Sequence, residues 1–445
     1  MFSSLRNLFK IPELRNKVLF TLFILALYRL GSYIPAPGID QSAVAAIKAQ
    51  AEQGGVLSYL QLFSGNALTQ FAIFALGIMP YITASIILQI LGVVIPKLEE
   101  WQQQGAVGQR KITQWTRYVT IGIAVLQSTG FVYLFQNGGG GLSTNENISL
   151  VTNFNLGTLS LIVVTFTAGT ALLMWMGELI TQRGIGNGMS LIIFCSVVSS
   201  FPSVGASLRA SNGWFAVALV AVVAAILLVF IIYIENGTRK IPVQFAKRQV
   251  GRRMYGGQST YIPLKVNQAG VIPIIFASAF LQMPVLLVNV LPQTDWGNAI
   301  RKWINDNLVA AASPIYLGIF GLLIFAFSYF YTSIAFDPVQ QADQLRKQGG
   351  FIPGIRPGPQ TERYLAKVLN RITFPGALFI SFLALAPTII IIMIVGKANS
   401  GIAFSIGGAS LLIAVGVALE LMKQIDGQLM LRNYEGFLSD KPEKH

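Results

Sequence analysis

Side chains that could do chemistry are scarce in the long apolar runs of this chain. Glu178 and Glu420 lie near the ends of such runs, and Arg29, near the outer end of the first run, is expected to snorkel to the interface. A proton- or sodium-coupled transporter usually needs an ionisable group near the middle of the bilayer, where charge is costly to hold. The only histidine, His445, is the last residue, and the only cysteine, Cys195, lies in an apolar run, so neither a metal cluster nor a disulfide is predicted.

The motifs of phosphate chemistry and covalent catalysis are missing from the sequence as well. It contains no Walker A motif and no nucleophile with a base nearby. We therefore expect no enzyme activity and no cofactor, and the energy for any transport must come from elsewhere. A secondary transporter of ten helices is the alternative from another class, and it would require the midplane ionisable site that the sequence lacks.

Clustered basic residues are the second feature that could carry a function. The loop of residues 235–267 carries seven Lys and Arg residues and two tyrosines, a pattern typical of a surface for a polyanion such as RNA. The loop of residues 336–374 adds further basic residues and a GIRPG turn, whose prolines and glycines predict a stiff protrusion. Positive charge near lipid headgroups is the alternative explanation, but topology needs only a few charges near helix ends.

The elements that must position these residues are membrane helices. Of the 445 residues 53% are hydrophobic and 11% are charged, and the mean hydropathy is +0.60, which indicates a polytopic helical membrane protein. The first apolar run exceeds a signal-peptide core and should stay as a transmembrane helix. Ten apolar runs are predicted, at residues 18–34, 71–95, 118–135, 158–177, 189–205, 214–234, 269–291, 315–335, 376–395 and 402–422.

The distribution of basic residues predicts the orientation of these helices. With the N-terminus inside, 26 Lys and Arg residues fall on that side and five on the other, while Arg29 lies within the first helix. Both termini are therefore expected in the cytoplasm. An odd number of helices in each half makes the halves inverted repeats, with residues 1–206 as the first half, residues 207–445 as the second, and a loop at 207–213 between them.

One stretch, residues 62–95, suggests how such a protein could hold a pore. Its front part, Leu62 to Leu68, is apolar but far below the ~20 residues that cross a bilayer, so it should be half-inserted and covered by protein or by a water-filled cavity. Ile78, Ile82 and Ile86 follow at intervals of four, which stacks them along one helix face. A constriction that excludes water is one interpretation, and on spacing alone ordinary lipid contact or helix packing is the simpler one.

Polar, uncharged residues recur on three of the predicted helices. They are Thr83 and Ser85 on the second, Gln127 and Ser128 on the third, and Ser278 and Gln282 on the seventh. Such side chains hydrogen-bond across helices for ~0.6 kcal/mol each, which predicts a seam that closes but can also open. Unspecialised bonding between helices is the alternative.

Several motifs together resemble the SecY family, the channel subunits of the bacterial Sec protein translocase. They are LFSGNAL at 62–68, ALGIMPYITASI at 75–86, KITQWTRY at 111–118, RGIGNGMSLIIF at 183–194, AKRQVGRRMYGGQSTYIPLKVNQAGVIPIIFAS at 246–278, GGFIPGIRPG at 349–358 and GGASLLIAVGVALE at 407–420. The likeness covers nearly the whole chain in collinear order. One departure is QQQGAVGQ at 102–109, which lacks the acidic residues common there in the family.

The resemblance implies an all-α membrane fold of ten transmembrane helices, in two inverted five-helix halves around an hourglass pore. The pore ring would consist of Ile78, Ile82, Met189, Ile193, Ile275 and Ile413, in which Met189 replaces the usual isoleucine. The plug, about residues 60–70, would include Leu62, Phe63, Ser64, Gly65, Asn66, Ala67 and Leu68. A lateral gate between the second, third, seventh and eighth helices would contain Thr83, Ser85, Gln127, Ser278 and Gln282.

The resemblance also implies a function and partners. A passive channel would pass unfolded, signal-bearing polypeptides and release transmembrane segments sideways into lipid, in the bacterial inner membrane and together with SecE and SecG. The motor SecA or the ribosome would dock on Lys247, Arg248, Arg252, Arg253, Arg346, Lys347 and Arg356. The thylakoid homologue of the same channel is a second alternative, against which the lack of a predicted transit peptide argues.

Overall fold

Long helices make up most of the computed structural model, which describes residues 11–40, 44, 64–65, 67–68, 70–136, 155–245, 248–250, 253–255, 259–288, 295–309, 313–395 and 407–439. In chain order the helices are α1 Pro12–Gly31, α2 Met79–Val94, α3 Pro96–Gln103, α4 Ala106–Gln136, α5 Leu156–Arg183, α6 Gly188–Ala210, α7 Asn212–Glu235, α8 Ile272–Val288, α9 Asp295–Ile304, α10 Pro314–Ala335, α11 Pro338–Lys347, α12 Pro359–Val395 and α13 Gly408–Ser439. A π-helical segment, Asn305–Val309, follows α9.

Each of the ten predicted apolar runs overlaps a helix of the described chain. Six helices of the described chain are long and apolar enough to cross a membrane, namely α5, α6, α7, α12, α13 and the helix that begins at Pro314. A bent pair, Met79–Gly92 with Pro96–Gln102, makes a seventh span if it is counted as one. The predicted helical membrane fold is confirmed, whereas the count of ten spans stays a prediction.

The second run begins as a helix later than expected. Residues 70–78 form turns, with left-handed backbone at Phe71 (φ 47°) and Gly77 (φ 57°). The amide of Ala36 donates to the carbonyl of Phe71 at 2.8 Å, so this stretch pairs with the chain that leaves α1. Pro80 in the first turn suits the start of a helix, and Ile78 becomes the residue that caps α2.

The predicted loop at 207–213 is wrong. α6 continues to Ala210 and α7 begins at Asn212, so the chain between them is almost uninterrupted helix. Only Gly213 departs from helical backbone, with φ 76° and ψ −178°. A single glycine is enough to redirect the chain because it has no Cβ to clash at positive φ. The division of the chain into two halves at this point stays a prediction.

The two basic loops share one small sheet, which the sequence analysis did not predict. Strands β1 (Thr238–Phe245) and β4 (Ser259–Lys265) pair antiparallel, and β5 (Gly350–Phe351) of the other loop adds to the free edge of β1. Two short strands, β2 (Arg248–Val250) and β3 (Arg253–Tyr255), pair as a separate sheet. Ile241, Val243 and Leu264 are buried in a core that also contains Leu345 of α11 and Leu365 of α12. The loops therefore fold as one unit.

Candidate functional site

Five of the six predicted ring residues are buried in the large hydrophobic cluster that forms the core of the helical bundle. Ile78 and Ile82 are 1% and 9% exposed, and Ile193 of α6, Ile275 of α8 and Ile413 of α13 are all buried in the same cluster. Met189, which is partly buried, packs against it. Since the isoleucines are covered by the protein itself, contact with lipid does not explain their spacing.

Met189 is placed by the turn between α5 and α6. Gly186 has φ 86°, and the side chain of Asn187 accepts a hydrogen bond from the amide of Met189 at 3.0 Å. A Cβ on Gly177 would collide with the sulfur of Met189, so glycine at this position leaves room for that side chain. This unbranched side chain fills its place in the cluster with more freedom than an isoleucine would have.

The described part of the predicted plug is buried against the same cluster. Ser64 and Leu68 are 2% and 1% exposed, and Ala67, with no exposed surface, belongs to the cluster that contains Ile78 and Ile82. The amide of Ala67 donates to the carbonyl of Ser64 at 3.1 Å, which closes a turn. Leu62, Phe63 and Asn66 lie outside the described residues. A half-inserted segment covered by protein is what the sequence predicted for this place.

Arg29 is half-buried and makes hydrogen bonds within the protein, while its expected snorkelling to the interface stays a prediction. Its Nη1 donates to the carbonyl of Gly65 at 3.0 Å and to the hydroxyl of Ser199 at 2.9 Å, and Nη2 donates to Tyr33 at 3.1 Å. Gly65 belongs to the buried segment and Ser199 to α6, whereas Tyr33 is exposed. A charge inside an apolar run was the signal in the sequence that could have marked Arg29 as functional.

Tyr28, the residue before Arg29, contacts the same two parts of the chain, the buried segment and α6. Its side chain is fully buried, and its hydroxyl lies 2.7 Å from the hydroxyl of Ser196 and 3.4 Å from the carbonyl of Ser64, to which it donates. Its ring stacks on Phe74, with the ring centroids 5.9 Å apart. The end of α1 therefore holds the segment and α6 together through two consecutive side chains.

The polar residues of the predicted seam bond within their own helices. Thr83 donates to the carbonyl of Met79 at 3.0 Å and Ser278 to that of Ile275 at 2.6 Å. Ser128 likewise donates to a carbonyl of α4, and Ser85 accepts a hydrogen bond from Gln89 of its own helix. The prediction that these residues bond across the helices is wrong for the described side chains, because Ser and Thr hydroxyls reach the preceding turn's carbonyls.

The helices of the predicted gate pack against one another. α8 packs against α2, α4 and α10, the four helices of the predicted gate. Phe276 of α8 meets Phe327 and Tyr331 of α10 edge to face, with centroid distances of 5.7 and 6.2 Å. Gln127 on α4 is half-buried, and of Gln282 only the backbone on α8 belongs to the described part.

An ion pair joins the third and fourth predicted spans. Arg117 of α4 donates to both carboxylate oxygens of Glu178 on α5, at 2.7 and 2.6 Å. Bidentate pairs of this kind are strong and geometrically specific. Glu178 therefore serves to fix α4 against α5, which removes it as a candidate for the ion-coupling carboxylate of a transporter.

The basic residues of the second loop are exposed on a defined turn. Arg356 lies between Gly354 (φ 81°) and Gly358 (φ 110°), and its carbonyl accepts a hydrogen bond from the hydroxyl of Thr361 at 2.9 Å. Arg346 and Lys347 are exposed at the end of α11, where cations favour the helix dipole. Arg248 and Arg253 lie on β2 and β3, whereas Lys247 and Arg252 lie outside the described residues.

Comparisons with known proteins find one family. The SecY family model matches residues 72–422, more than half of the chain. Two similar relatives are the protein translocase subunits SecY of Streptomyces griseus and Mycobacterium tuberculosis, which are 49% and 46% identical over 98% of this chain and 100% of their own.

Solved structures show the same fold at low identity. A structure described as that of a protein conducting channel is 17% identical, with a TM-score of 0.61 over 97% of this chain and 95% of its own. Sec61 in the canine ribosome-channel complex from the endoplasmic reticulum is 16% identical, with a TM-score of 0.57 and the same coverage.

Proposed function

Because the chain belongs to the SecY family, it is a multi-pass membrane subunit of a protein translocase and not an enzyme, and we propose that it forms the passive channel through which unfolded, signal-bearing polypeptides cross the membrane. The observation that carries this proposal is the meeting of Ile78, Ile82, Ile193, Ile275 and Ile413 in one cluster with the buried segment that contains Ala67.

The aliphatic ring suits this function because it makes no hydrogen bonds to a threading chain. A polypeptide of any sequence can therefore pass it, while a narrow, dry neck opposes the passage of ions. The plug, residues 62–68, fills the space beside the ring when no polypeptide is present. Its burial supports this role, since Ser64, Ala67 and Leu68 are covered by the rest of the protein.

The seam between α8 and its neighbours acts as the lateral gate. Aromatic side chains pack between α8 and α10, and lipid tails can replace apolar contacts of this kind when helices separate. Apolar segments of a precursor then leave sideways into the bilayer. Thr83, Ser85, Gln127, Ser278 and Gln282 line this gate in the proposal.

The two basic loops are the docking surface for cytoplasmic partners. We assign SecA and the ribosome to the surface formed by Arg346, Lys347 and Arg356 with the basic residues of the first loop, and SecE and SecG to the membrane-embedded complex. Positive charge on an exposed, rigid turn favours acidic or nucleic-acid partners. The excess of Lys and Arg in these loops supports an orientation in which the loops and both termini are cytoplasmic. The membrane that holds the channel is, in this proposal, the bacterial inner membrane.

Reconstitution tests the proposal directly. Vesicles that contain the chain with SecE are supplied with SecA, ATP and a signal-bearing precursor, and protease protection of the precursor is measured. We expect protection that requires both ATP and the signal sequence. If folded chain and active SecA give no protection, SecA-driven translocation is excluded, and insertion by bound ribosomes is the function to test next.

A further inference from the structure

Arg29 holds a charge beside the plug without an acidic partner among the described residues. Among the described residues, ion pairs join Arg117 to Glu178 and Arg346 to Asp343. The Arg29 guanidinium instead donates to the carbonyl of Gly65, to Ser199 and to Tyr33, and it lies over the Tyr33 ring at 5.3 Å. Hydrogen bonds from a charged donor to neutral acceptors are stronger than neutral ones, so these contacts favour one position of the plug.

The backbone of the plug is shaped to accept these bonds. Gly65 has φ 60°, and a Cβ added there would lie 3.1 Å from Nη1 of Arg29 and 3.2 Å from the hydroxyl of Ser199. Glycine therefore allows the carbonyl to approach both α1 and α6 closely. Ser196 and Ser199 follow each other on one face of α6, so Tyr28 and Arg29 meet successive turns of the same helix.

We propose that Arg29, supported by Tyr28, Ser196 and Ser199, is a clasp that holds the plug in the closed channel and sets how readily the channel opens. The plug carries the two acceptors, at Ser64 and Gly65, whereas the donors sit on α1 and are braced by α6. A polypeptide that displaces the plug breaks these bonds but leaves α1 and α6 intact, so the clasp can close again. This inference rests on the proposed function, because it takes residues 62–68 as the plug.

Labelling of the plug tests the clasp in the full chain reconstituted with SecE. Cys195→Ala removes the only native thiol, and Ala67→Cys places a thiol at a site with no exposed surface in the closed channel. The rate of reaction with a membrane-impermeant maleimide then reports how often the plug leaves. In the Arg29→Met variant we expect the rate to rise roughly tenfold to a hundredfold, the range for loss of charge-assisted hydrogen bonds. The labelling rate of Arg29→Lys should lie between those of the parent and of Arg29→Met, because lysine keeps the charge but not the planar set of guanidinium donors.

The matched control is Arg209→Met. Arg209 also stacks on an aromatic ring, that of Trp214 at 4.4 Å, but it has no contact with the plug among the described residues. Its variant should label as slowly as the parent. If Arg29→Met fails to assemble, Ser199→Ala, which removes only a neutral acceptor, should still raise the rate about threefold to tenfold.

Slow labelling of Arg29→Met, or of Ser199→Ala in its place, would overturn the clasp. Precursor protection measured on the same vesicles separates this failure from a failure of the proposed function. If the parent translocates precursor and the labelling rates are unchanged, only the clasp is wrong. If the parent does not translocate under conditions where SecA is active, SecA-driven translocation is excluded whatever the labelling rates show.

Discussion

At the scale of single residues, burial identifies the isoleucines that spacing alone left undecided. Ile78 and Ile82 repeat at a helical interval that fits a lipid-facing stripe as well as a pore. Their burial in the same cluster as Ala67, with residues of eight other helices, restricts them to the interior of the protein. No pattern within one helix could show this, because the partners lie more than a hundred residues away.

Removal of ring side chains should increase ion leak. We expect the double variant Ile82→Gly and Ile193→Gly to conduct ions several-fold more than the parent in planar bilayers, because the dry constriction widens. Ile226→Gly on α7 introduces the same helix-weakening glycine at a site that is 53% exposed, and it should leave the conductance unchanged. Equal conductance of the double variant and the parent would contradict a sealing ring.

Charge reversal on the second loop should impair export. Arg356→Glu is expected to lower SecA-driven translocation roughly tenfold while the complex still assembles, since it replaces attraction by repulsion on an exposed turn. Lys302→Glu, at an exposed position of α9, makes the same change of net charge on the predicted opposite side of the membrane. Export rates in reconstituted vesicles compare the two, and a normal rate for Arg356→Glu would exclude the turn as a docking site.

At the scale of elements, the apolar runs predicted every long helix, but tertiary contacts set the ends and the loops. The run that begins at residue 71 forms turns up to Ile78, because Gly77 has positive φ and the chain pairs with residues after α1. Strands β1 and β5 are separated by the whole of α8 and α10, so their pairing could not be inferred from either loop. The contacts of Arg29 with Gly65 and with Ser199 of α6 were missed for the same reason, since these acceptors are distant in sequence.

The close approach of α13 to α12 depends on a glycine. A Cβ at Gly408 would collide with the backbone carbonyl of Leu383, which cannot move as a flexible side chain could. We expect Gly408→Ala to lower the free energy of unfolding by about 1–3 kcal/mol. Gly205→Ala is the control, because nothing lies within 4 Å of a Cβ there. Thermal unfolding of the purified complex measures the difference. Equal unfolding temperatures for Gly408→Ala and Gly205→Ala would show that α13 and α12 can move apart without loss of stability.

The shared sheet should keep both loops resistant to proteolysis. Val243 has no exposed surface, so Val243→Ala removes buried methyl groups and should destabilise the loop unit by roughly 1–3 kcal/mol. Cleavage by trypsin at the many basic residues of the loops should then be faster, while the membrane helices stay intact. Gln244→Ala, one residue on and exposed, should be cut at the parent's rate. An unchanged rate for Val243→Ala would mean that the loops fold independently.

At the scale of the whole molecule, the net charge of +14 comes mainly from residues on one predicted side of the membrane. The basic residues concentrate at one predicted side of the membrane, whereas the interior of the described bundle is held by apolar contacts. Such an arrangement orients the chain during insertion and presents a cationic surface to partners.

Surface labelling can test this orientation. With Cys195→Ala as background, Lys347→Cys and Lys302→Cys each provide one thiol at an exposed site. An impermeant maleimide added to intact bacteria should label Lys302→Cys at once, and Lys347→Cys only after the membrane is permeabilised. The reverse pattern would place the basic loops outside the cell and would remove cytoplasmic SecA and ribosomes as their partners.

The base of the β1–β4 hairpin has a mechanical consequence. Asn267 donates to the carboxylate of Glu235 at 2.9 Å, and the amide of Val266 donates to the carbonyl of Gly237 at 2.9 Å, so the end of α7 and the approach to α8 are fastened together. From these bonds we infer that a force on the hairpin would be transmitted to α8, the helix that packs against α2, α4 and α10. We expect a partner that pushes on the loops to apply torque to the gate, and the work of opening to come entirely from that partner.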